Sequence, residues 1–283
     1  MPPSLPIAPA PWSLRGEGWI IPLHTPFSAQ PIPLQDNAYA PLESGSSADQ
    51  SKRFHGGVGF VMLVRYKSSD VGSYDELLYV PGLFSRIAAQ EEPNHPVEYF
   101  PAITRIYVST NASVYNGRKN WGIPKHRADF TFTRPSNDPR TTLVRVSLPD
   151  SPDGARPFFA CKLRDSAFTP FPLPVSTTWF DSAFARTITR GYSSALYQLR
   201  LPSHNGDQEE GAPTSAETSS EKTFLVKPTA KGWSRLSYLE PHPQEDLSAC
   251  GDGENFPRIE PYSTWLNFHL PQFEMEFPIP LEV

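Results

Sequence analysis

Proline content is the feature that most restricts the fold of this chain. Thirty-three of the 283 residues are proline, more than double the usual share of about 5%, and they occur throughout the sequence. Proline lacks a backbone donor and clashes with the preceding helical turn, so few windows remain long enough for a helix. Short apolar or alternating runs lie between prolines, glycines and aspartates, which is typical of strands. The sequence therefore predicts a mainly β (α+β) protein.

Ten runs have the composition of strands. They span residues 18–23, 58–66, 98–108, 129–133, 142–148, 158–163, 196–201, 222–226, 232–239 and 267–277. Two short helices are predicted, one from Ser109 or Asn111 to about Asn120, where Gly122 and Pro124 follow, and one from 181 to about 190. We expect a large, mostly antiparallel sheet system, or a barrel-like one, with a few short peripheral helices.

Domain organisation follows from the absence of any linker-like stretch. We expect one domain over residues 1–283, with two flexible insertions at 35–52 and 203–222. Both insertions are rich in polar residues and too poor in apolar ones to offset the entropy of ordering. In the first, Tyr39 and Leu42 are candidates for anchoring the segment. Neither insertion is expected to take part in chemistry, although either is a candidate lid.

Several classes of partner are disfavoured by composition. A net charge of −5 and a pI near 5.8 provide no basic footprint for nucleic acid. No apolar stretch approaches the length of a membrane span, and the amino terminus lacks the pattern of a secretory signal. Two cysteines, Cys161 and Cys250, are too few for a disulfide scaffold, so we expect a cytoplasmic protein.

Cofactor-binding patterns are also missing from the sequence. The seven histidines never pair at the separations of metal ligands. No Gly-x-Ser-x-Gly elbow and no phosphate-binding loop occur. The sequence thus predicts neither a metal nor an organic cofactor.

One lysine has the sequence environment of a nucleophile. Residues 117–126 read Gly-Arg-Lys-Asn-Trp-Gly-Ile-Pro-Lys-His, which places Lys125 after apolar residues and among cations. An ordinary lysine is almost entirely protonated at pH 7, and only the neutral amine attacks a carbonyl. Burial beside Trp121 and Ile123, together with nearby positive charge, would disfavour the ammonium form. The alternative is that the segment is a solvated basic turn.

Three segments together resemble the acetoacetate decarboxylase family. Residues 111–128 are similar to its active-site segment, with Lys125 seven positions after Arg118. Residues 71–76, which contain Gly-x-Tyr-x-Glu, are similar to the turn that carries an active-site glutamate. Residues 11–16 resemble the Pro-aromatic entry to the first strand. The resemblance implies a β-rich fold, in agreement with the strand pattern, and assembly into homo-oligomers.

The same resemblance implies roles for particular residues. Lys125 would form a Schiff base with a ketone, and the protonated imine would act as an electron sink. Glu76 would set the polarity and protonation of the site, with a solvated turn glutamate as the alternative. Tyr74, Arg118 and Trp121, which lie within the matched segments, are candidates for substrate binding.

The neighbouring position, His126, departs from the family pattern. The decarboxylase proper has a second lysine there, whereas histidine is mostly neutral at pH 7. His126 is therefore either a proton carrier at the site or, if residues 124–128 form a strand with alternating sides, directed away from it.

Two arginines are candidates for binding a substrate carboxylate. Arg15 is the nearest match to an arginine that the family uses near its first strand. Val61 stands at a position where the decarboxylase proper carries an acid. Arg65 lies four residues after Val61 and therefore on the same strand face. Val61 would make the pocket more apolar, which favours a different substrate. Arg65 has the alternative role of ending a strand in water.

We expect a cofactor-independent, Schiff-base lyase acting on a small keto acid or ketone, and decarboxylation of a β-keto acid is the first prediction. The alternative is an aldolase, dehydratase or cyclase acting on a larger carbonyl compound through the same Lys125, which Val61 and His126 favour. A second alternative is a non-catalytic β-rich protein that binds small molecules. The volume of the cavity around the amine would distinguish an acetoacetate-sized substrate from a bulky ketone.

Overall fold

A computed structural model describes residues 5–86, 97–152, 155–169, 171–178, 194–202, 220–245, 247 and 249–283. These residues form short and long strands, one α-helix and one 3-10 turn at Ser51–Arg53. The helix is α1 (Asn111–Trp121). The strands are β1 (Trp12–Thr25), β2 (Phe54–Ser68), β3 (Tyr74–Val80), β4 (Leu83–Ser85), β5 (Tyr99–Pro101), β6 (Arg105–Val108), β7 (Lys125–Arg127), β8 (Asp129–Thr133), β9 (Thr141–Ser147), β10 (Phe159–Asp165), β11 (Leu173–Ser176), β12 (Leu196–Gln198), β13 (Phe224–Val226), β14 (Thr229–Glu240), β15 (Asn267–Phe277) and β16 (Leu281–Glu282).

One large sheet organises most of these strands. Its order is β7-β6-β3-β2-β1-β15-β14-β10-β9-β8, with β11 paired to β14 and the β4–β5 pair attached to β2. The pair β6–β7 is parallel, and the other described pairs are antiparallel. A second sheet has the order β12-β13-β16. The large sheet curves into a nearly closed, barrel-like form, which confirms the predicted fold class.

Both faces of the large sheet are buried at its centre. Met62, Val64 and Tyr66 of β2 pack into one apolar cluster, whereas Val61 and Leu63 pack into another on the opposite face. This division follows from the two-residue period of a strand. Residues 59–64 read as a continuous apolar run because both faces have a core to fill.

Several of the strands and the helix predicted from the sequence agree with the structure, and others differ. Strands β8 and β15 have the predicted bounds, and α1 lies within a residue or two of its prediction. The predicted strand 98–108 is divided into β5 and β6 by residues 102–104. The predicted helix 181–190 and most of the predicted insertion 203–222 lie outside the described residues.

The other predicted insertion, 35–52, packs against the protein. Ala38, Tyr39 and Ala40 are buried, and Glu43 is completely inaccessible to solvent. Buried apolar side chains and the buried Glu43 carboxylate, which contacts Arg118 and His126, hold this segment in place. The burial of Tyr39 agrees with its expected role as an anchor of the segment, and the flexibility of the insertion stays a prediction. Within the described ranges, no helix has the length and apolarity needed to cross a membrane.

Candidate active site

Strand register brings Lys125 close to Glu76 although 49 residues separate them in sequence. Lys125 pairs with Ile106 of β6, while Glu76 of β3 pairs with Val108 of the same strand. Residues two apart on a strand face the same side. Lys125, Ile106, Val108 and Glu76 therefore share the inner face of the sheet.

The Lys125 amine is buried and has defined partners. The residue is 4% exposed, and Nζ donates to Glu76 Oε2 at 2.9 Å and to Ser113 Oγ at 3.0 Å. Nζ also lies 5.0 Å from the ring centroid of Tyr74, within the range of a cation–π contact. The amine is thus held in one position by an anion, a hydroxyl and an aromatic face.

Two tyrosines complete the polar lining around Glu76. The Tyr66 hydroxyl donates to Glu76 Oε1 at 3.3 Å. Burial raises the pKa of both Tyr66 and Tyr74 well above the ordinary phenol value, and the charge of Glu76 raises it further. Both phenols therefore remain neutral hydrogen-bond donors at physiological pH.

Helix α1 determines the path of the Lys125 side chain. Thr110 caps its start by accepting from Ser113 N at 3.3 Å, and Gly122 ends it in the left-handed conformation with φ 62°. Ser113 and Gly117 are one turn apart and face β7. A Cβ at Gly117 would lie 2.5 Å from Lys125 Cδ and 2.7 Å from Cε. Glycine at this position thus allows the lysine to cross the helix.

If Lys125 forms an imine with a ketone, as the resemblance implies, we expect the Gly117→Ala variant to do so about 10- to 100-fold more slowly than the wild type. The added methyl group would displace Lys125 Cδ and move Nζ from Glu76, and misplacement by about 1 Å can reduce rates about 100-fold. Alanine favours a helix more than glycine by about 1 kcal/mol, so helicity should persist. The measurement is the rate of borohydride trapping together with far-UV circular dichroism. Lys119→Ala, at an exposed position of the same helix, is the control, and an unchanged rate for Gly117→Ala would contradict the steric role.

A large apolar cavity lies beside the amine. Its volume is about 520 Å³, a size typical of pockets for drug-sized ligands. Its walls come from strands of the large sheet and from helix α1, and they include Trp12, Phe60, Met62, Trp121, Phe268 and Phe273. The charged residues that line it are Glu76, Lys125 and Lys231, and no arginine among the described residues does so. Lys231 is mostly exposed and pairs with Glu274.

A second buried charge cluster lies on the other side of β7. Arg118 Nη1 donates to Glu43 Oε1 at 2.8 Å, and His126 Nε2 contacts Glu43 Oε2 at 2.8 Å. Burial would raise the pKa of the Glu43 carboxyl, but His126 and Arg118 together hold it below its ordinary value. Arg118 also donates to the Pro202 carbonyl at 3.0 Å. The cluster connects segment 35–52 to helix α1 and strand β7.

Four of the residues predicted for the site share the cavity. Lys125, Glu76, Tyr74 and Trp121 all line it. The Trp121 ring packs edge-on against Trp12 with centroids 5.0 Å apart, and its Nε1 donates to the Pro278 carbonyl at 2.8 Å. The indole thus forms a fixed wall near the amine.

Arg118 and His126 lie outside the cavity, which corrects Arg118 as a substrate-binding candidate and agrees with the alternative that His126 is directed away from the site rather than acting there as a proton carrier. His126 is next to Lys125 on a strand and therefore faces the opposite side, where it lies near Tyr107. Arg118 is committed to Glu43 beneath the strand. The guanidinium of Arg118 is thus directed away from the Lys125 amine. The immediate charged partner of the amine is the carboxylate of Glu76.

Arg15 and Arg65 also lie outside the cavity. Arg15 is exposed and pairs with Glu274 at 3.2 Å. Arg65 pairs with Asp75 at 3.3 Å and lies over the Phe132 ring. Val61 and Arg65 do share a strand face, as expected, but it is the face opposite the cavity. The structure therefore corrects the prediction that either arginine, or Val61, lines the pocket.

Three polar residues at or near the amine were absent from the predictions. Ser113 and Tyr66 contact Lys125 and Glu76, and Glu43 supports β7 from below. Helical spacing offered a signal for Ser113, which lies one turn before Gly117 on the face that meets the lysine. Glu43 offered none, because it lies in a polar segment with no periodic pattern.

Comparison with known proteins gives structural matches. No protein-family profile matches the chain, and no curated protein sequence matches it. The structure is similar to acetoacetate decarboxylase from Legionella pneumophila, with a TM-score of 0.51 and 14% identity over 100% of this chain and 92% of that chain. It also aligns with an acetoacetate decarboxylase-like enzyme from Sphingomonas wittichii RW1, with a TM-score of 0.49 and 12% identity over 98% of this chain and 94% of that one. Another match is the enduracididine biosynthesis enzyme MppR complexed with pyruvate, with a TM-score of 0.45 and 12% identity over 98% and 91% of the two chains.

The similarity to the Legionella enzyme extends along the whole chain and agrees with the barrel-like sheet described above. At this level of identity it concerns the fold. The chain has the acetoacetate decarboxylase-like fold.

Proposed function

We propose that this protein is a cofactor-independent enzyme that uses Lys125 as a Schiff-base nucleophile on a carbonyl compound. The observation that carries the proposal is the position of Nζ, which is buried at the wall of an apolar cavity, 2.9 Å from Glu76 and 3.0 Å from Ser113. A lysine without function would rarely be buried in this way, because transfer of its charge from water is costly.

Glu76 supplies a route to the neutral amine. One proton moves from the Lys125 ammonium to the carboxylate across the 2.9 Å contact, giving an amine and a carboxylic acid. Both products are uncharged, and an apolar environment tolerates such a pair better than separated ions. The lone pair on Nζ is then free to attack a carbonyl carbon.

The same proton serves the next step. The attack gives a carbinolamine, the Glu76 acid protonates its hydroxyl group, and water leaves to form the iminium ion. Glu76 is again a carboxylate and stabilises the positive charge on nitrogen. With a β-keto acid, the bond to the carboxylate carbon then breaks, its electrons pass into the iminium to form an enamine, and carbon dioxide leaves. Protonation of the enamine at carbon and hydrolysis of the imine regenerate Lys125.

The cavity favours a bulky, apolar substrate. A volume of about 520 Å³ greatly exceeds the space that acetoacetate needs, and the walls are mostly aromatic and aliphatic. A carboxylate in the cavity would have no arginine partner among the described residues and would lie near the negative charge of Glu76. These features support a second reaction, aldol-type cleavage of a larger ketone through the same iminium. Decarboxylation is supported by the shared fold.

The test incubates the protein separately with acetoacetate, a medium-chain 3-oxo acid and a medium-chain 2-alkanone, each with borohydride. We expect a reduced adduct on the peptide that contains Lys125, with the longer compounds trapped at lower concentration than acetoacetate. Release of carbon dioxide from the 3-oxo acid, without borohydride, would identify the decarboxylase, and its absence would favour aldol-type chemistry. Binding of the ketone without any adduct would contradict the proposal and indicate a binding protein.

A further inference from the structure

Ser234 lines the cavity and has a buried, unpartnered hydroxyl group. The residue is 8% exposed, and its Oγ has no hydrogen-bond partner among the described residues. Buried side-chain hydroxyls nearly always have such a partner, and leaving one without it costs free energy. The hydroxyl therefore requires a partner from outside the described residues.

Ser234 lies opposite an irregular stretch of the neighbouring strand. On β14 it is the single residue between Trp233, which pairs with Gln272, and Arg235, which pairs with His269, so two residues of β15, Leu270 and Pro271, face it. Two residues opposite one is the arrangement of a β-bulge, here in β15, and bulges are common near functional sites.

Other hydroxyl groups near this part of the cavity already have partners. Thr177 Oγ1 accepts from Ala230 N at 2.8 Å, and Ser176 Oγ lies 2.8 Å from Thr178 Oγ1. A water molecule would also be a poor partner for Ser234, because an ordered buried water needs two to four polar contacts and the surrounding cavity wall is mostly apolar.

Ser234 and Lys125 are far apart in the sheet and yet share one cavity. Five strands, β6, β3, β2, β1 and β15, separate β7 from β14 in the sheet order. Because the sheet curves around the cavity, both residues line it. A ligand whose carbonyl reaches Lys125 would therefore meet Ser234 with a remote part of its structure.

We propose that Ser234 is a specificity-determining residue that binds a second, neutral oxygen of the substrate. The inference rests on the proposed function of Lys125. The substrate class is a largely apolar carbonyl compound with a hydroxyl or carbonyl oxygen at a distance from the reacting carbonyl. A serine hydroxyl both donates and accepts, so it serves either kind of oxygen.

The distant group is neutral because Ser234 cannot compensate a buried charge. A single hydroxyl provides one donor, and a carboxylate removed from water needs several donors or a cation. Lys231, the other lysine that lines the cavity, is mostly exposed and is paired with Glu274 at 3.3 Å.

The test compares 2-alkanones of increasing chain length with the same ketones carrying a terminal hydroxyl. For each compound, the half-saturation concentration for borohydride trapping at Lys125 is measured in the wild type, Ser234→Ala and Ser176→Ala. At one chain length we expect the hydroxyl to lower the half-saturation concentration about tenfold in the wild type. Ser234→Ala should abolish that difference, while the control Ser176→Ala should retain it.

The outcomes separate this inference from the proposed function. If no ketone is trapped, the role of Lys125 fails and the inference fails with it. If ketones are trapped but no chain length benefits from a hydroxyl, or if Ser234→Ala keeps the benefit, the inference about Ser234 is wrong and Lys125 is unaffected. Stability provides a second readout: Ser234→Ala removes an unsatisfied hydroxyl and should not lower Tm, so misfolding would not explain the expected loss.

Discussion

In the Lys125→Met variant, trapping of a 2-alkanone by borohydride falls to background and the adduct-bearing peptide disappears. Methionine occupies a similar volume but has no nitrogen that can form an imine. The control is Lys119→Met, which removes an exposed amine six residues earlier and should react as the wild type does. The measurement is the mass of the peptides after reduction and digestion.

The same substitution should also destabilise the fold. Lys125 and Glu76 are both 5% exposed in their side chains, so loss of the amine leaves a buried carboxylate without its cation. Breaking a buried pair in this way costs about 3–5 kcal/mol, whereas replacing both partners can be nearly neutral. We therefore expect Lys125→Met to lower the free energy of unfolding by about that amount, and Lys125→Met/Glu76→Gln to recover most of it.

The double variant separates chemistry from stability. It should be folded and still form no adduct, because the nucleophile is absent. An adduct on another lysine of this variant would show that the wrong amine was identified. If the double variant were no more stable than Lys125→Met, Glu76 would not depend on the lysine for its charge balance.

Sequence reasoning placed Lys125 and Glu76 in one site because both residues lie in short motifs, and the structure places their side chains 2.9 Å apart. Lys125 follows Gly117 and Arg118 at a fixed spacing, and the structure gives a physical reason for each of those residues. Gly117 leaves room for the lysine side chain, and Arg118 binds Glu43 beneath the strand. A motif of this kind is readable because its members lie on one helix and the strand that follows it.

The predictions for Val61 and Arg65 differed from the structure because the sequence did not indicate which side of their strand faces the cavity. Adjacent residues on a strand point to opposite sides, and a continuous apolar run such as 59–64 has no alternation that would assign them. Val61 and Arg65 were therefore placed on the correct strand and on the wrong side. For His126 the same alternation supplied the alternative that the structure agrees with, because its neighbour Lys125 faces the cavity.

Contacts between segments far apart in sequence could not be predicted from local patterns. Strand β3 (Tyr74–Val80) was not among the predicted strands, because its residues are buried on both faces and do not alternate, and residues 71–76 were read as a turn. Glu43 lies 75 residues from Arg118, within a segment whose polar composition predicted an insertion. The position of Ser234 opposite Leu270 and Pro271 depends on the pairing of β14 with β15.

Strand β7 thus separates two buried charge clusters with different tasks. On the inner face, Lys125 and Glu76 border the apolar cavity. On the outer face, Glu43, Arg118 and His126 lie among protein groups and fix the backbone that carries Lys125. Substitutions in the outer cluster should therefore lower the stability of the fold. They should reduce imine formation only because less of the protein is folded.

We expect the Arg118→Met variant to be less stable than the wild type by about 3–5 kcal/mol. Arg118 and Glu43 have no solvent exposure in their side chains, so removal of the guanidinium leaves a buried carboxylate whose remaining side-chain partner in the cluster is His126. The measurement is chemical unfolding at neutral pH. Lys119→Met, on the same helix but exposed, is the control and should change stability by less than about 1 kcal/mol. The variant Arg118→Met/Glu43→Gln should recover most of the loss.

Acid unfolding provides a second measurement of the same cluster. Burial favours the protonated form of Glu43, but His126 and Arg118 keep its pKa below the ordinary value. A carboxyl with a lowered pKa contributes stability above its unfolded pKa and loses it as pH falls through the lowered value. Without Arg118 the pKa of Glu43 rises, so acid unfolding of Arg118→Met should begin at a higher pH than in the wild type. An identical onset in both proteins would mean that the guanidinium does not stabilise the Glu43 carboxylate.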